Sequence, residues 1–485
     1  MKSLHEDREV VRLGQSVFEN GLLAPEAMAR TVKVLRRFHK AVQIHGATLV
    51  RAVATSALRD ARNSQTFVEW VLAATGWNLE VISGLEEARL IHLGILENLR
   101  GVRSPMLLMD LGGGSCELTI SSRGHIAQTV SLPVGAVRLT QEFLRHDPPK
   151  KNELASMKRL IAERLARVAP RVAAARVRTV IATGGTAAAL DAIYKAKLPS
   201  GKRKKTQLVP RKAVLKIADM LARRDFQQRM LVPGLGSKRA EIIIAGASVY
   251  AEVLQRCGLL GFLYSPLGLR DGLLAQMAAD QHLSRRSEKQ IEADRWDSLL
   301  VTGKRYHVDI VHAQQVRQLA MKVFDELEEL HRMPREYRQW LSAAAMLHEV
   351  GSYVNRAGWH RHAYYIIAHS EILGYTPEQR RIIAAIARYL GALLPAAGQP
   401  YLKPLAAADR KQVPKAVALL RLARALNQGR RGSVTGLSAR IKDERVNLEL
   451  KTIKRLGSDL ELWMLAKERR YFFAVFGREL FAELS

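Results

Sequence analysis

The stretch that decides the fold is Met106 to Ile120, MLLMDLGGGSCELTI. Apolar residues run into Asp110, glycines 112–114 and Ser115 follow, and apolar and polar residues then alternate to the end of the stretch. This pattern predicts a strand, a glycine-rich turn and a second strand. Asp110 before the turn and Glu117 after it therefore bracket a tight hairpin.

A turn of this composition can bind an anion. Gly112, Gly113 and Gly114 can reach positive φ and lack a Cβ atom, so their N–H groups can converge on a phosphate. Asp110 and Glu117 offer hard oxygen ligands of the kind that Mg2+ accepts beside phosphate oxygens. A plain hairpin is the alternative, because one glycine-rich turn is weak support; the acid before the turn and the serine after it favour a phosphate role.

The bulk composition bounds the class of protein. The chain has 485 residues, 48% of them hydrophobic and 25% charged, which is ordinary for globular proteins and long enough for about three domains. Only two cysteines occur, and we find neither a signal-peptide pattern nor an apolar run of about 18 residues. We therefore expect a cytoplasmic protein with no disulfide framework and no membrane span.

The net charge of +30 favours a polyanionic partner through the summed electrostatic field and counterion release. The basic residues are dispersed, with one dense run at Lys202 to Lys205. Nucleic acid and polyphosphate would both suit this charge. Aromatic residues are only 6% of the chain, and no stacking strand or recognition helix stands out, so we expect no nucleic-acid partner.

Helices and strands alternate over the first 280 residues, and helices dominate afterwards. Before residue 281 the patterns predict strands within 5–14 and at 48–53, 79–82, 125–132, 177–182 and 260–264, and helices at 25–42, 64–74, 136–145, 151–168, 187–196, 237–256 and 269–280. A basic connection at 197–212 is predicted to be a solvated loop. Further helices are predicted at 309–330, 337–349, 363–373 and 377–390, and residues 431–485, with a strand at 446–450, should form a small α+β domain.

A second glycine-rich turn, Thr183-Gly184-Gly185-Thr186, lies between a predicted strand and a predicted helix. It offers backbone amides and a helix N-terminus to an anion. Close packing of the helix on the sheet would explain the same glycines.

Two adjacent acids begin another helix. Ser83 and Glu86 have the spacing of a capping box, so Glu86 is expected to be occupied at the helix N-terminus. Glu87 is left free. From the residues alone, the better interpretation of Glu87 is an exposed acid favoured by the helix dipole.

Five motifs, in this order, resemble those of the exopolyphosphatase/guanosine pentaphosphatase family. They are ISGLEEARL at 82–90, MDLGGGS at 109–115, TGGT at 183–186, PGL at 233–235 and GLRDG at 268–272. The resemblance spans nearly the whole chain. It implies an α/β, actin-like (ribonuclease-H-like), two-lobed phosphohydrolase with its site in the interlobe cleft, then a helical HD-like domain and a small α+β domain. The corresponding ranges are 1–100, 101–284, 285–430 and 431–485.

The resemblance also implies roles for site residues, and it reverses the interpretation of Glu87, which matches the general base. Arg59 matches an arginine that helps to bind phosphate, and Asp110 and Glu117 match the Mg2+ side of the site. The phosphate-binding residues would be Gly112, Gly113, Gly114, Ser115, Thr183, Gly184, Gly185 and Thr186.

The expected activity is that of an exopolyphosphatase, in which Mg2+ supports release of terminal orthophosphate from inorganic polyphosphate. Hydrolysis of guanosine pentaphosphate at its 5′ end is the alternative, with guanosine penta- or tetraphosphate as the partner. A catalytically weak polyphosphate or alarmone sensor is a third interpretation. The resemblance suggests a homodimer.

The start of the chain departs from the family pattern. Members begin with a strand, an Asp-x-Gly-Ser-Asn-Ser turn and a second strand, and this chain starts after them. Either the start codon is assigned too far downstream, which is the favoured interpretation, or half of the phosphate clamp is lost. We expect an incomplete, loosened first lobe in which the strand at 48–53 lacks its usual neighbour.

The helical part resembles an HD-type module through His312, His348 and Glu349. An HD metal site needs a histidine, a His-Asp pair and a distal aspartate. Glu349 stands where the aspartate should be, and the distal segment 420–427 contains no acid. We therefore expect no working metal site there, and buried or polyanion-facing histidines instead.

Overall fold

The structure, a computed structural model, describes residues 3–98, 105–199, 208–281, 283–391, 394–395, 398–442, 444–453 and 456–484. The basic run at Lys202 to Lys205 lies outside these ranges. The chain divides into two units, Met1–Ile291 and Glu292–Ser485. The finer division into four domains stays a prediction.

The N-terminal part of the first unit is a two-stranded parallel sheet with helices. Val32 of its second helix packs on Phe67 and Val71 of its fourth, and all three are buried. These apolar positions recur at helical spacing, which gives each helix one face for the core. The elements are α1 Val17–Asn20, α2 Pro25–Ile44, β1 Ala52–Ala54, α3 Ser56–Asp60, α4 Ser64–Thr75, β2 Leu79–Val81 and α5 Gly84–Asn98.

The strand predicted within residues 5–14 is wrong, and the strand predicted at 48–53 shortens to Ala52–Ala54. β1 pairs with β2 in parallel, from Ala52 opposite Leu79 onward. A strand needs a neighbour to pair its N–H and C=O groups. Residues 5–14 have apolar side chains at Val10, Val11 and Leu13 but no such neighbour among the described residues, and Val10 is 56% exposed.

A six-stranded mixed sheet follows, in the order β5-β4-β3-β6-β8-β7. Its strands are β3 Met106–Leu111, β4 Cys116–Ser122, β5 His125–Leu132, β6 Thr179–Thr183, β7 Leu208–Pro210 and β8 Gly261–Tyr264. The helices between and after them are α6 Ala136–Phe143, α7 Lys151–Leu165, α8 Ala169–Ala174, α9 Gly184–Ala196, α10 Arg211–Ala222, α11 Phe226–Met230, α12 Ile243–Arg256 and α13 Leu269–Asp280. A 3₁₀ turn occupies Ser237–Arg239.

β3 is the strand on which the first unit is built, as the opening stretch predicts. It pairs with β4 in antiparallel and with β6 in parallel. Because successive side chains point to opposite faces, Met106 and Leu108 pack on Ile91 and Ile95 of α5. The alternate residues of β3 join the larger core on the other face. Helix α5 therefore covers the face of β3 to which residue 110 also belongs.

The second unit is a helical layer with a three-stranded sheet. Its helices are α14 Arg285–Arg305, which crosses the boundary between the units, α15 Ile310–Glu326, α16 Glu328–His331, α17 Glu336–Leu347, α18 Trp359–His369, α19 Pro377–Arg388, α20 Ala407–Ala425 and α21 Asp459–Phe476, with a 3₁₀ turn at Val350–Tyr353. The strands β9 Val434–Lys442, β10 Arg445–Thr452 and β11 Glu479–Leu484 lie in the order β11-β10-β9. The strand predicted at 446–450 lies within β10. Among the described residues, none of the helices combines the length and the apolar composition that a membrane span requires.

Candidate active site

Both glycine-rich turns lie at one edge of the six-stranded sheet. β3 and β6 are parallel neighbours, with Asp110 opposite Thr183. The turn after β3 and the turn after β6 therefore leave the sheet from the same side. In open α/β sheets, the carboxyl ends of such strands are where ligands bind.

Three carboxylates meet beside these turns. Glu117 of β4 is the cross-strand partner of Asp110, so both side chains share one face of the sheet. That face is the one covered by α5, whose first turn carries Glu87. Ligand oxygens of the three residues lie within 4.8 Å of one another.

Burial and mutual repulsion hold these carboxyls toward the neutral form. Burial, reinforced by the charge of Glu87, raises the pKa of Asp110 to about 7. The same two causes raise the pKa of Glu117 to about 8, against the opposing hydrogen bond from Ser131. The pKa of Glu87 is also raised by burial, although the Arg59 guanidinium opposes the shift.

Glu87 is not the exposed first-turn acid that its spacing alone favours, because only 7% of it is exposed. Arg59 of α3 donates to it at 3.0 Å, to the carbonyl of Ile82 at 2.8 Å and to the hydroxyl of Ser115 at 3.4 Å. Arg59 therefore joins the carboxylates to the glycine turn. The adjacent Glu86 receives the expected helix cap, since its N–H donates to Ser83 Oγ at 3.1 Å.

The Gly112–Ser115 loop is held by the start of α6. The carbonyl of Gly112 accepts a hydrogen bond from Ala136 N–H at 3.0 Å, and the carbonyl of Gly114 accepts one from Gly135 N–H at 3.2 Å. The carbonyl of Gly113 accepts two, from the N–H groups of residues 137 and 138, at 2.8 and 3.0 Å. In a peptide group the N–H points opposite to the C=O. The N–H groups of residues 113–115 consequently point away from α6, and no hydrogen bond to them occurs within the described part of the chain.

Space requires a glycine at position 114 of this loop, whereas the sequence suggested positive φ for all three glycines. Gly112, Gly113 and Gly114 do not adopt positive φ angles. A Cβ atom on Gly114 would lie 2.3 Å from Ser56 Oγ and 2.5 Å from the Phe18 ring. The backbone of the loop therefore lies directly against α1 and α3.

The second turn has the positive φ that the first lacks, with φ +83° at Gly184. An added Cβ there would lie 2.9 Å from Asp110 Oδ1, and one on Gly185 would overlap the Arg239 guanidinium. Helix α9 begins at Gly184, three residues earlier than predicted, so its N-terminus faces the carboxylates. Among its neighbours, the Thr183 hydroxyl donates to the Leu267 carbonyl at 2.6 Å.

Thr186 lies apart from the other predicted phosphate-binding residues. It is 1% exposed, and a Cβ atom on Gly246 of α12 would lie 2.7 Å from its side chain. The structure therefore brings its side chain against a neighbouring helix. This is the packing role that the sequence left open for the turn.

Two residues that the sequence analysis did not single out belong to the site. The Arg239 side chain lies over the second turn, and the described residues provide its guanidinium with no hydrogen bond or ion pair. Ser131 donates to Glu117 Oε1 at 2.7 Å. Ser131 and Arg239 each lie more than ten residues along the chain from the motif glycines that they contact. Of the two, only Arg239 had a sequence signal, because it follows the PGL motif.

The carboxylate cluster fits a divalent cation. Glu117 Oε2 is fully buried and has no hydrogen-bond partner among the described residues. Three hard oxygen donors that repel one another form the donor set that Mg2+ or a similar ion accepts. Such an ion would be held by Asp110 and Glu117, with Glu87 beside it.

The site and the fold together define a phosphohydrolase of the actin-like class. At one edge of the mixed sheet lie two glycine turns, backbone amides without protein partners among the described residues, and three carboxylates. The profile of the Ppx/GppA phosphatase family matches residues 1–281, and that of Ppx/GppA phosphatase, domain III, matches residues 295–469. The chain belongs to the Ppx/GppA phosphatase family and is a hydrolase.

Individual relatives agree with this assignment. Exopolyphosphatase 2 of Mycobacterium tuberculosis is 32% identical over 288 residues, which cover 57% of this chain and 90% of the relative. The crystal structure of an exopolyphosphatase from Cytophaga hutchinsonii is 25% identical, with a TM-score of 0.53 over 57% of this chain and 90% of that one. An exopolyphosphatase-like protein is 27% identical, with a TM-score of 0.52 over 56% and 91%. The predicted actin-like fold is confirmed.

The histidines that the sequence analysis compared with an HD-type module form a cluster in the second unit. His312, His348 and Glu349 offer ligand atoms within 4.8 Å of one another. The side-chain oxygen Oδ1 of Asn427 accepts a hydrogen bond from Gly432 N–H at 3.1 Å. The side-chain nitrogen Nδ2 of Asn427 therefore faces His312 Nδ1 at 3.0 Å and donates to it. His312 Nδ1 then lacks a proton and Nε2 carries one.

This tautomer makes His312 Nε2 a donor toward the cluster and removes it as a metal ligand. Glu349 is occupied as well, since Arg430 donates to it at 2.5 Å. These contacts support the prediction that no metal binds here, which stays a prediction.

Proposed function

We propose that this protein is an exopolyphosphatase that releases terminal orthophosphate from inorganic polyphosphate with the help of Mg2+. The observation that carries the proposal is the convergence of Glu87, Asp110 and Glu117 within 4.8 Å beside two glycine turns. The name of the Mycobacterium tuberculosis relative, Exopolyphosphatase 2, supports the same substrate.

Glu87 is the general base. Burial raises its pKa above that of an ordinary glutamate, which makes the carboxylate a stronger base. Arg59, 3.0 Å away, holds the carboxylate in one orientation and opposes the rise in its pKa. Glu87 removes a proton from the water that attacks the terminal phosphorus, while the shortened polyphosphate leaves on the opposite side.

The terminal phosphate is bound by backbone amides and arginines. The N–H groups of residues 113–115 face away from α6 without protein partners among the described residues. They would donate to the equatorial oxygens, where charge develops in the transition state. Arg59 and Arg239 flank the loop and the second turn and supply positive charge. In the second turn, Gly184, Gly185 and Thr186 are proposed to contribute backbone N–H groups at the start of α9, where Thr183 is the N-cap.

A divalent cation at Asp110 and Glu117 would neutralise charge on the phosphate oxygens. Its presence would also let all three carboxylates ionise together, because the repulsion that raises their pKa values would be offset.

Guanosine pentaphosphate is a second candidate substrate. A cavity of about 270 Å³ adjoins the loop at Gly113 and Gly114. Its lining combines the Phe18 ring and Val137 with the side chains of Gln15 and other polar residues, a mixture that suits a nucleoside. The homodimer suggested by the sequence resemblance stays a prediction.

Phosphate release tests the proposal. Purified protein is incubated with long-chain polyphosphate or with guanosine pentaphosphate, with Mg2+ or with EDTA. We expect Mg2+-dependent release from polyphosphate that exceeds release from the nucleotide. Faster release from the nucleotide would reassign the substrate, and release from neither would favour the sensor interpretation.

A further inference from the structure

Arg138 occupies an unusual position in α6. It is the third residue of the helix, in the first turn, where the macrodipole disfavours a cation. Its side chain is only 19% exposed. Tertiary contacts, and not helix electrostatics, must therefore explain why an arginine stands there.

Those contacts reach two separate parts of the candidate site. Arg138 Nε donates to the carbonyl of Gly114 at 2.8 Å. Its Nη2 pairs with the carboxylate of Asp60 in α3. The guanidinium also lies over the Phe18 ring, 4.3 Å from its centroid. One side chain thus joins the glycine loop to α3 and α1.

Helix α3 carries Asp60 next to Arg59, the arginine that contacts Glu87 and Ser115. It is only five residues long, and its Ser56 end lies against Gly114. A short helix has little stability of its own. Its position relative to the glycine loop depends on side-chain contacts, and the Asp60–Arg138 ion pair is the one that joins its C-terminal end to α6.

We propose that Arg138, acting through Gly114 and Asp60, is a positioning residue for phosphate transfer. It fixes the peptide group between Gly114 and Ser115, whose N–H points at the phosphate position, and it fixes α3 and therefore Arg59 relative to that loop. This proposal rests on the proposed function of the loop. It concerns a residue that touches neither substrate nor the attacking water.

The fixed geometry matters because a displacement of about 1 Å between reacting groups can lower a rate about 100-fold. Losing Arg138 would free the Gly114 carbonyl from one of its two donors and leave Asp60 without this partner. The loop amides and Arg59 would then have to be ordered at each turnover. The transition state would lose more stabilisation than the bound substrate does, so kcat should fall more than KM rises.

The test compares Arg138→Ala, Arg138→Lys and Asp60→Asn with wild type, using polyphosphate and Mg2+. Arg223→Ala is the matched control, because Arg223 is 81% exposed and also forms an ion pair, with Asp219. We expect Arg138→Ala to lower kcat about 10- to 100-fold with KM changed less than about threefold. Arg138→Lys should recover part of the loss, and Asp60→Asn should show a smaller loss in the same parameter. Combining Asp60→Asn with Arg138→Ala should add little to the arginine variant alone.

Hydrogen exchange of the free protein provides a readout that needs no turnover. Amides of residues 135–138, which donate to the loop carbonyls, should exchange faster in Arg138→Ala and in Asp60→Asn than in wild type or Arg223→Ala. Unchanged exchange together with unchanged kcat in both variants would overturn the proposal. So would a fall in kcat that only matches the loss of folded protein. If the wild type releases no phosphate, the proposed function fails, whereas the exchange result still decides whether Arg138 positions the loop. Should Arg138→Ala fail to fold, Asp60→Asn decides, because that aspartate is 40% exposed.

Discussion

Replacing Glu87 with glutamine should remove catalysis while leaving the fold intact. Glutamine keeps an oxygen that can accept from Arg59, now 3.0 Å from the carboxylate. It also removes the charge that raises the pKa values of Asp110 and Glu117, so the cluster loses repulsion as well as an ion pair. We expect kcat to fall about 10²- to 10⁴-fold, the range for loss of a general base, with little change in stability.

The adjacent acid provides the matched control, with the opposite expected result. Glu86 accepts from Arg89 at 2.9 and 2.7 Å, and Arg89 is only 1% exposed. Glu86→Gln weakens this buried ion pair, although Gln276 still accepts from the arginine at 2.9 Å. The free energy of unfolding should fall by about 1–3 kcal/mol, while kcat per folded molecule stays near that of wild type.

The two variants are compared by phosphate release from polyphosphate with Mg2+ and by urea unfolding. Loss of activity without loss of stability at position 87, and the reverse at position 86, would support the assignment. Small and equal effects on kcat at both positions would refute the role of Glu87 as the base.

Further predictions concern pH and metal. Without a divalent cation, the first unit should lose stability as pH rises from about 4 to 8. The reason is that Asp110 and Glu117 have folded-state pKa values of about 7 and about 8, above their ordinary values of 3.8 and 4.5. Melting temperatures measured in EDTA and in Mg2+ should therefore diverge toward high pH, and parallel curves would contradict the metal site. Arg59→Met should raise the pKa of Glu87 further, since Arg59 opposes the shift caused by burial. The acidic limb of the pH profile of kcat should therefore move to higher pH. An unchanged acidic limb would show that Arg59 does not influence the pKa of the catalytic base. In the second unit, burial holds the pKa values of His312 and His348 below the ordinary value of 6.5, so hydrogen exchange there should show stability falling as pH drops below about 6.5. His348→Gln should leave the metal content unchanged, and a metal lost on this substitution would show that the cluster is a site.

The sequence determined the local elements of the site well. Met106 to Ile120 predicted strand, turn and strand, and β3 and β4 pair as predicted, with Asp110 opposite Glu117. An alternating pattern interrupted by three glycines leaves few other local structures, because strand periodicity and turn chemistry are properties of neighbouring residues. The order of the motifs was equally informative about the family.

The local sequence pattern predicted strands less well where pairing with a distant strand decides whether a strand forms. Residues 5–14 were predicted to contain a strand and form none. In the second unit, β9 and β11 were missed although β10 between them was predicted. A strand is stabilised by hydrogen bonds to a neighbour that lies elsewhere in the chain, so its own residues do not settle whether it forms.

Tertiary structure alone decided which side chains meet. By spacing, Glu87 is an exposed first-turn acid; it becomes a buried member of a carboxylate trio because α5 covers the face of β3 that carries Asp110. Arg239 and Arg138 reach the two glycine turns from helices and turns distant in sequence. Sequence sets the chemistry of each residue and the faces of each element, whereas distances among residues 87, 110, 117, 138 and 239 arise only when those faces pack together.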